Sequence, residues 1–152
     1  MGIHARFGVV VIAASVLACA ACGGGGNGGG GGGGYGGGGA ETGSTTTVDG
    51  MTAADHGTKD VSGESEVEVE ADDYYFKPTI LEGKPGQKIT LEVENEGEAE
   101  HNLTIDKQGL DKDLPAGEKA TVEVTFPASG TLAFYCKFHT SEHMAGALKA
   151  SG

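Results

Sequence analysis

The stretch Thr131-Leu132-Ala133-Phe134-Tyr135-Cys136-Lys137-Phe138-His139-Thr140-Ser141-Glu142-His143-Met144 decides the reading of this chain. Its opening residues alternate, placing Leu132, Phe134 and Cys136 on one face of a strand and Tyr135 and Lys137 on the other. The thiol therefore points inward, at the polar end of a core. Beyond Cys136 the alternation stops. An imidazole and a thioether follow in the pattern Cys-x2-His-x4-Met, at His139 and Met144. A single loop folding back from the strand end can bring all three side chains to one point.

Working outward, Gly146-Ala147-Leu148-Lys149 reads as a closing strand, and Ala120 to Phe126 alternates before the Pro127-Ala128-Ser129-Gly130 turn. Lys88 to Glu94 is the cleanest alternating segment, with Ile89, Leu91 and Val93 facing in. Ser65 to Ala71 has the same period, and Asp72-Asp73 breaks it. His101 to Ile105 forms a further strand with Leu103 and Ile105 on the core side. Turns are marked by Gly83-Lys84-Pro85-Gly86, Asn95-Glu96-Gly97-Glu98 and Pro115-Ala116-Gly117. No segment carries a sustained helical stripe. Short strands at this spacing predict an all-β fold, a Greek-key antiparallel β-sandwich of seven or eight strands over residues 64–152.

His101 supplies a second imidazole upstream. Two histidines, a thiolate and a long, weak thioether bond are the donor set of a type 1 (blue) copper site. The soft thiolate suits Cu(I), imidazoles serve either valence, and a distant sulfur imposes no square geometry. The metal ligands are thus expected to be His101, Cys136, His139 and Met144, holding one mononuclear copper per chain. Asn102 is expected beside them, tying the two ligand loops together by side-chain hydrogen bonds. His143 is the alternative axial ligand. With it the chain also reads Cys-x2-His-x3-His, which with His101 could bind zinc, although a structural zinc site commonly brings a second cysteine. His56 falls in the polar region upstream and is expected to be solvated.

Phe134-Tyr135-Cys136-x-x-His139-x4-Met144-x-Gly146 and His101-Asn102-Leu103-x-Ile105-Asp106 resemble the cupredoxin family, plastocyanin most closely within it. Phe76-x-Pro78, Gly86-x-x-Ile89-Thr90 and Pro115-x-Gly117-Glu118 are similar to its framework. The resemblance implies a sandwich with copper just under one end and electron exit through the edge of His139. A second route near Tyr135 is implied by analogy. Two departures fall in the loop: His143 stands where the family often has glycine, and Phe138 replaces a frequent proline.

The chain has 152 residues, but its first third carries little to bury. Every residue between Cys22 and Ala40 is glycine except Asn27 and Tyr35. Glycine loses the most backbone entropy on ordering, so a flexible tether is expected there. The Thr- and Ser-rich segment to Gly63 is read as more of it. His4 and Arg6 precede the apolar run Phe7–Ala18, too short to span a bilayer but right for an export signal. That run ends Val16-Leu17-Ala18-Cys19, which resembles a bacterial lipobox. The expected organisation is a lipoprotein signal peptide over 1–18, a tether over 19–63 lipidated at Cys19 (Cys22 being the second choice), and the sandwich. Cys136 is then the only thiol in the folded part, so no disulfide can form within it.

A net charge of −12 leaves no basic stripe to displace phosphate counterions, which argues against nucleic acid. It suits electrostatic steering towards a basic protein. Together these features predict a monomeric, non-enzymatic electron carrier, lipid-anchored at the outer face of the cytoplasmic membrane. Its partners would be a redox donor and acceptor with basic docking surfaces. The alternative is a protein that sequesters or delivers copper with the same ligands.

Overall fold

The structure is a computed structural model that describes residues 43–152. Twelve strands follow one another: β1 (Thr45–Val48), β2 (Met51–Ala54), β3 (Thr58–Asp60), β4 (Glu66–Asp72), β5 (Tyr75–Lys77) and β6 (Ile80–Gly83), then β7 (Lys88–Asn95), β8 (His101–Ile105), β9 (Leu110–Leu114), β10 (Lys119–Thr125), β11 (Thr131–Tyr135) and β12 (Ala145–Ala150). They form a sheet in the order β10-β7-β4-β5, a second sheet in the order β3-β6-β12-β11-β8-β9, and a separate β1-β2 hairpin.

The alternating sequences account for the core. Val67, Val69 and Ala71 of β4, Ile89, Leu91 and Val93 of β7, and Leu132 and Phe134 of β11 are all buried and belong to one cluster. Phe76 and Phe134 meet edge-on across it, ring centroids 5.2 Å apart. Each buried Val, Leu, Ile or Phe among them stabilises the fold by about 1.5–3 kcal/mol. Gly146 is required by this packing. A Cβ there would run into the Phe134 ring and stand 2.6 Å from the Thr79 carbonyl.

The expected sandwich is present, with two differences. First, β4 pairs with β7, and β6 with both β12 and β3, in parallel, whereas the sequence reading had only antiparallel neighbours. The cause is topological: after the β4-β5 hairpin the chain crosses to the other sheet as β6 and returns as β7 beside β4.

Second, the segment from Thr45 to Asp60, read as tether, is ordered as β1, β2 and β3. Asp49 and Gly50 both have positive φ, 46° and 85°, as a two-residue type I′ hairpin turn requires. Val48 and Ala53 of the hairpin pack against Ala145 and Ala147 of β12. The β3 strand extends the edge of the larger sheet, and Val61 after it is fully buried in the main core. Gln87 fastens this segment, its side-chain amide donating to the carbonyls of Val61 and Glu64 at 2.8 and 2.9 Å. The folded body therefore starts well before residue 64. The expected signal peptide, Cys19, Cys22 and the glycine-rich stretch lie outside the described residues.

Candidate metal centre

The inward parity of β11 delivers Cys136 to the core, where it is fully buried. The loop that follows closes on itself through the backbone. Cys136 N–H donates to the Met144 carbonyl at 3.0 Å, and the amides of His139 and Met144 donate to Cys136 and His139 at 3.2 Å each. His143 takes a left-handed conformation, φ 65°, to complete the turn. That position favours glycine, which accounts physically for the residue this sequence departs from.

The loop brings His139 against Cys136, and β8 brings His101 to both. His101 Nδ1 and His139 Nδ1 lie 3.2 Å apart, and Cys136 Sγ is 3.4 Å from His139 Nδ1. The three donor atoms fall within 4.8 Å of one another. Such spacings are those of donors sharing one ion at bond lengths of about 2.0–2.3 Å. Two imidazole nitrogens and a thiol, all three turned to one buried point, fit a copper ion.

Met144 is fully buried in the same cluster as Cys136. His143 is exposed and stands outside the three-donor group, its side chain lining a cleft with His56, Tyr74 and Glu142. His56 is not simply solvated, as the sequence reading had it. Its ring stacks on Tyr75, centroids 3.6 Å apart, and its backbone amide donates to Thr79 Oγ1 at 2.7 Å.

Burial pushes the Cys136 thiol up, against the amides of Phe138, Asn102 and His139 and the Lys137 ammonium, which draw it down. Asn102 thus reaches the sulfur through its backbone. Its side chain points to the other side of β8, donating to Asp111 and Asp113 at 2.7 and 2.8 Å. Those carboxylates in turn hold Lys137 Nζ at 2.7 and 2.9 Å. Asn102 on β8 is thus linked to Lys137, beside Cys136, at one remove, through a pair of acids.

Two residues near the site carried no signal in the sequence beyond a strand break. Asp73 Oδ1 lies 3.0 Å from the buried His101 Nε2, off the direction of the ring N–H, so that Nε2 has no aligned acceptor. Burial raises the Asp73 carboxyl, but the Glu98 and Ala99 amides and the His101 ring outweigh it and hold it below the usual range. Tyr74 packs on the His139 ring at 4.4 Å. It and Phe138, whose ring centroid is 6.4 Å from that of His139, are the exposed large hydrophobics among the described residues. Tyr135 is half-buried, with its hydroxyl on the Asp106 carboxylate at 3.1 and 3.2 Å.

The cupredoxin-like domain description matches residues 47–148, two thirds of the sequence, and the chain belongs to that family. None of the curated proteins matches it in sequence. Among solved structures it is similar in fold to the metal-binding domain of the Cu(I)-exporting P-type ATPase CopA of Streptococcus pneumoniae, at 12% identity and TM-score 0.54. That match covers 64% of this chain and 98% of the other. Auracyanin from Roseiflexus castenholzii is similar at 20% identity and TM-score 0.50, over 59% of this chain and 98% of that one.

Proposed function

We propose that this protein is a single-electron carrier built on one type 1 copper, with His101, Cys136 and His139 as the strong ligands and Met144 as the axial one. The observation that carries the reading is the convergence of a buried thiol and two imidazole Nδ1 atoms on one point. Bound there, copper would supply a valence change with little rearrangement. The chain's own residues do the rest. The loop's backbone bonds fix Cys136, His139 and Met144 relative to one another before any ion arrives. Burial of His101 and Cys136 keeps water away.

His139 is the half-buried ligand, and exposed Tyr74 and Phe138 flank it. A partner's apolar surface seated on those rings would bring its own redox group to the edge of that imidazole. The protein turns over no substrate. Its net charge of −12 suits a partner with a basic docking surface. The likeness of Val16-Leu17-Ala18-Cys19 to a lipobox supports a lipid on Cys19, which would hold the protein, working as a monomer, at the outer face of the cytoplasmic membrane.

The test is optical and electrochemical. The Cu(II) form should be intensely blue and C136S colourless, with reversible one-electron voltammetry. A colourless protein that retains only zinc would sink the copper reading. Loss of the ion to an acceptor on reduction would favour copper delivery instead.

A further inference from the structure

A carboxylate stands against the far side of one metal-binding imidazole. Asp73, directly after β4 and 28 residues before His101, brings Oδ1 to 3.0 Å from His101 Nε2, with 28% of its side chain exposed. The Ala99 amide donates to the same oxygen at 3.3 Å, and the Glu98 amide to Oδ2 at 3.1 Å. The turn before β8 thus clamps the acid in place. Gly97 makes room for the contact: a Cβ there would collide with Asp73 Oδ1 and stand 2.9 Å from His101 Nε2. Three separate features therefore converge on one arrangement: a glycine, two amides and a carboxylate aimed at a buried ring.

We propose that Asp73 is a positioning residue of the metal centre, whose carboxylate, held against the His101 ring, lowers the reduction potential by favouring the more highly charged oxidised ion. The inference rests on the copper reading above. A negative charge beside one ligand stabilises a dication more than a monocation, and a carboxylate behind a ligating imidazole raises its basicity. The effect works through charge at short range and needs no straight hydrogen bond, which the off-axis oxygen does not make. Partial exposure screens it, which sets the expected size at the lower end of such effects.

The test compares D73N, D73S and D73E with the wild-type copper protein by voltammetry, visible spectrum and thermal melting of the metal-free form. D73N should weaken Cu(II) binding relative to Cu(I) about tenfold. For one electron that is an upward shift of about 59 mV. D73S is also neutral but keeps a hydroxyl acceptor for the clamping amides. It should match D73N even if the side-chain amide is repelled by them. D73E retains the charge and should return most of the shift.

If the neutral variants only lower the melting temperature, with potential unchanged, Asp73 is structural and the inference falls. If D73E shifts as far as D73N, charge is not the cause and it falls as well. A wild type that never turns blue removes both this inference and the copper reading. A blue wild type with unshifted neutral variants removes this one alone.

Discussion

The backbone amide of Ala54 donates to the carbonyl of His143 at 3.0 Å. One hydrogen bond thus joins the end of the β1-β2 hairpin to the loop that carries three of the four proposed ligands. The hairpin's own apolar residues grip β12, which begins directly after Met144. The metal loop is therefore held from both ends, by its own strands and by an N-terminal strap. Four expectations follow from this and from the packing beneath it.

His143 should be replaceable at the metal. Its φ of 65° suits glycine, and its side chain lies outside the donor group. H143G should leave the visible spectrum of the Cu(II) form nearly unchanged and relieve up to about 1 kcal/mol of backbone strain. A large spectral shift would show that this imidazole binds the ion.

The strap should contribute measurable stability. V48A removes the equivalent of two methyl groups from a site only 1% exposed. At about 0.8 kcal/mol per group, it should cost about 1.5 kcal/mol in chemical denaturation. An unchanged midpoint would mean that the hairpin rests on β12 without stabilising it.

Gly146 should not accept a side chain. G146A would press a methyl group against the Phe134 ring and the Thr79 carbonyl, the second of which is backbone and cannot swing aside. Overpacking of this kind costs about 1–3 kcal/mol. Thermal melting of the metal-free protein measures it directly, and a loss below about 0.5 kcal/mol would contradict the packing described.

Tyr75 should be slow to ionise. Its hydroxyl donates to Asp72 Oδ2 at 2.8 Å, and this bond, with burial and the acidic neighbours, pushes the phenol up to about 12. A raised value favours the protonated form in the folded state. The contribution to stability is therefore complete below the unfolded value of about 10 and is lost as pH rises towards 12. Phenolate absorbance should show this group titrating about two units late, and D72N should return it towards normal.

The sequence was most legible where side-chain parity and core burial coincide. Ile89, Leu91 and Val93 alternate cleanly because one face of β7 is wet, and the same logic carried Cys136 inward. The approach of His139 to Cys136 was legible because only two residues separate them in the loop. Asn102 was half-legible: one residue from His101 on a strand, it must point the other way, which is why its side chain finds Asp111 and Asp113. The hairpin was missed although Asp49-Gly50 is a strong turn signal, because its strands are only four residues long, carry no clean alternation and bury one residue each. Asp73 could not be found from its neighbours. Nothing local marks an acid whose partner is reached only after three further strands.

One consequence concerns the direction from which the polypeptide enters. Gly43 and Thr45, at the start of the described residues, border the same cleft as Tyr74 and His143. The described chain thus begins at the end of the sandwich where Tyr74 packs on His139. Any alteration of residues 43–45 would therefore be felt at the rim that Tyr74 and His143 share, far from the opposite pole.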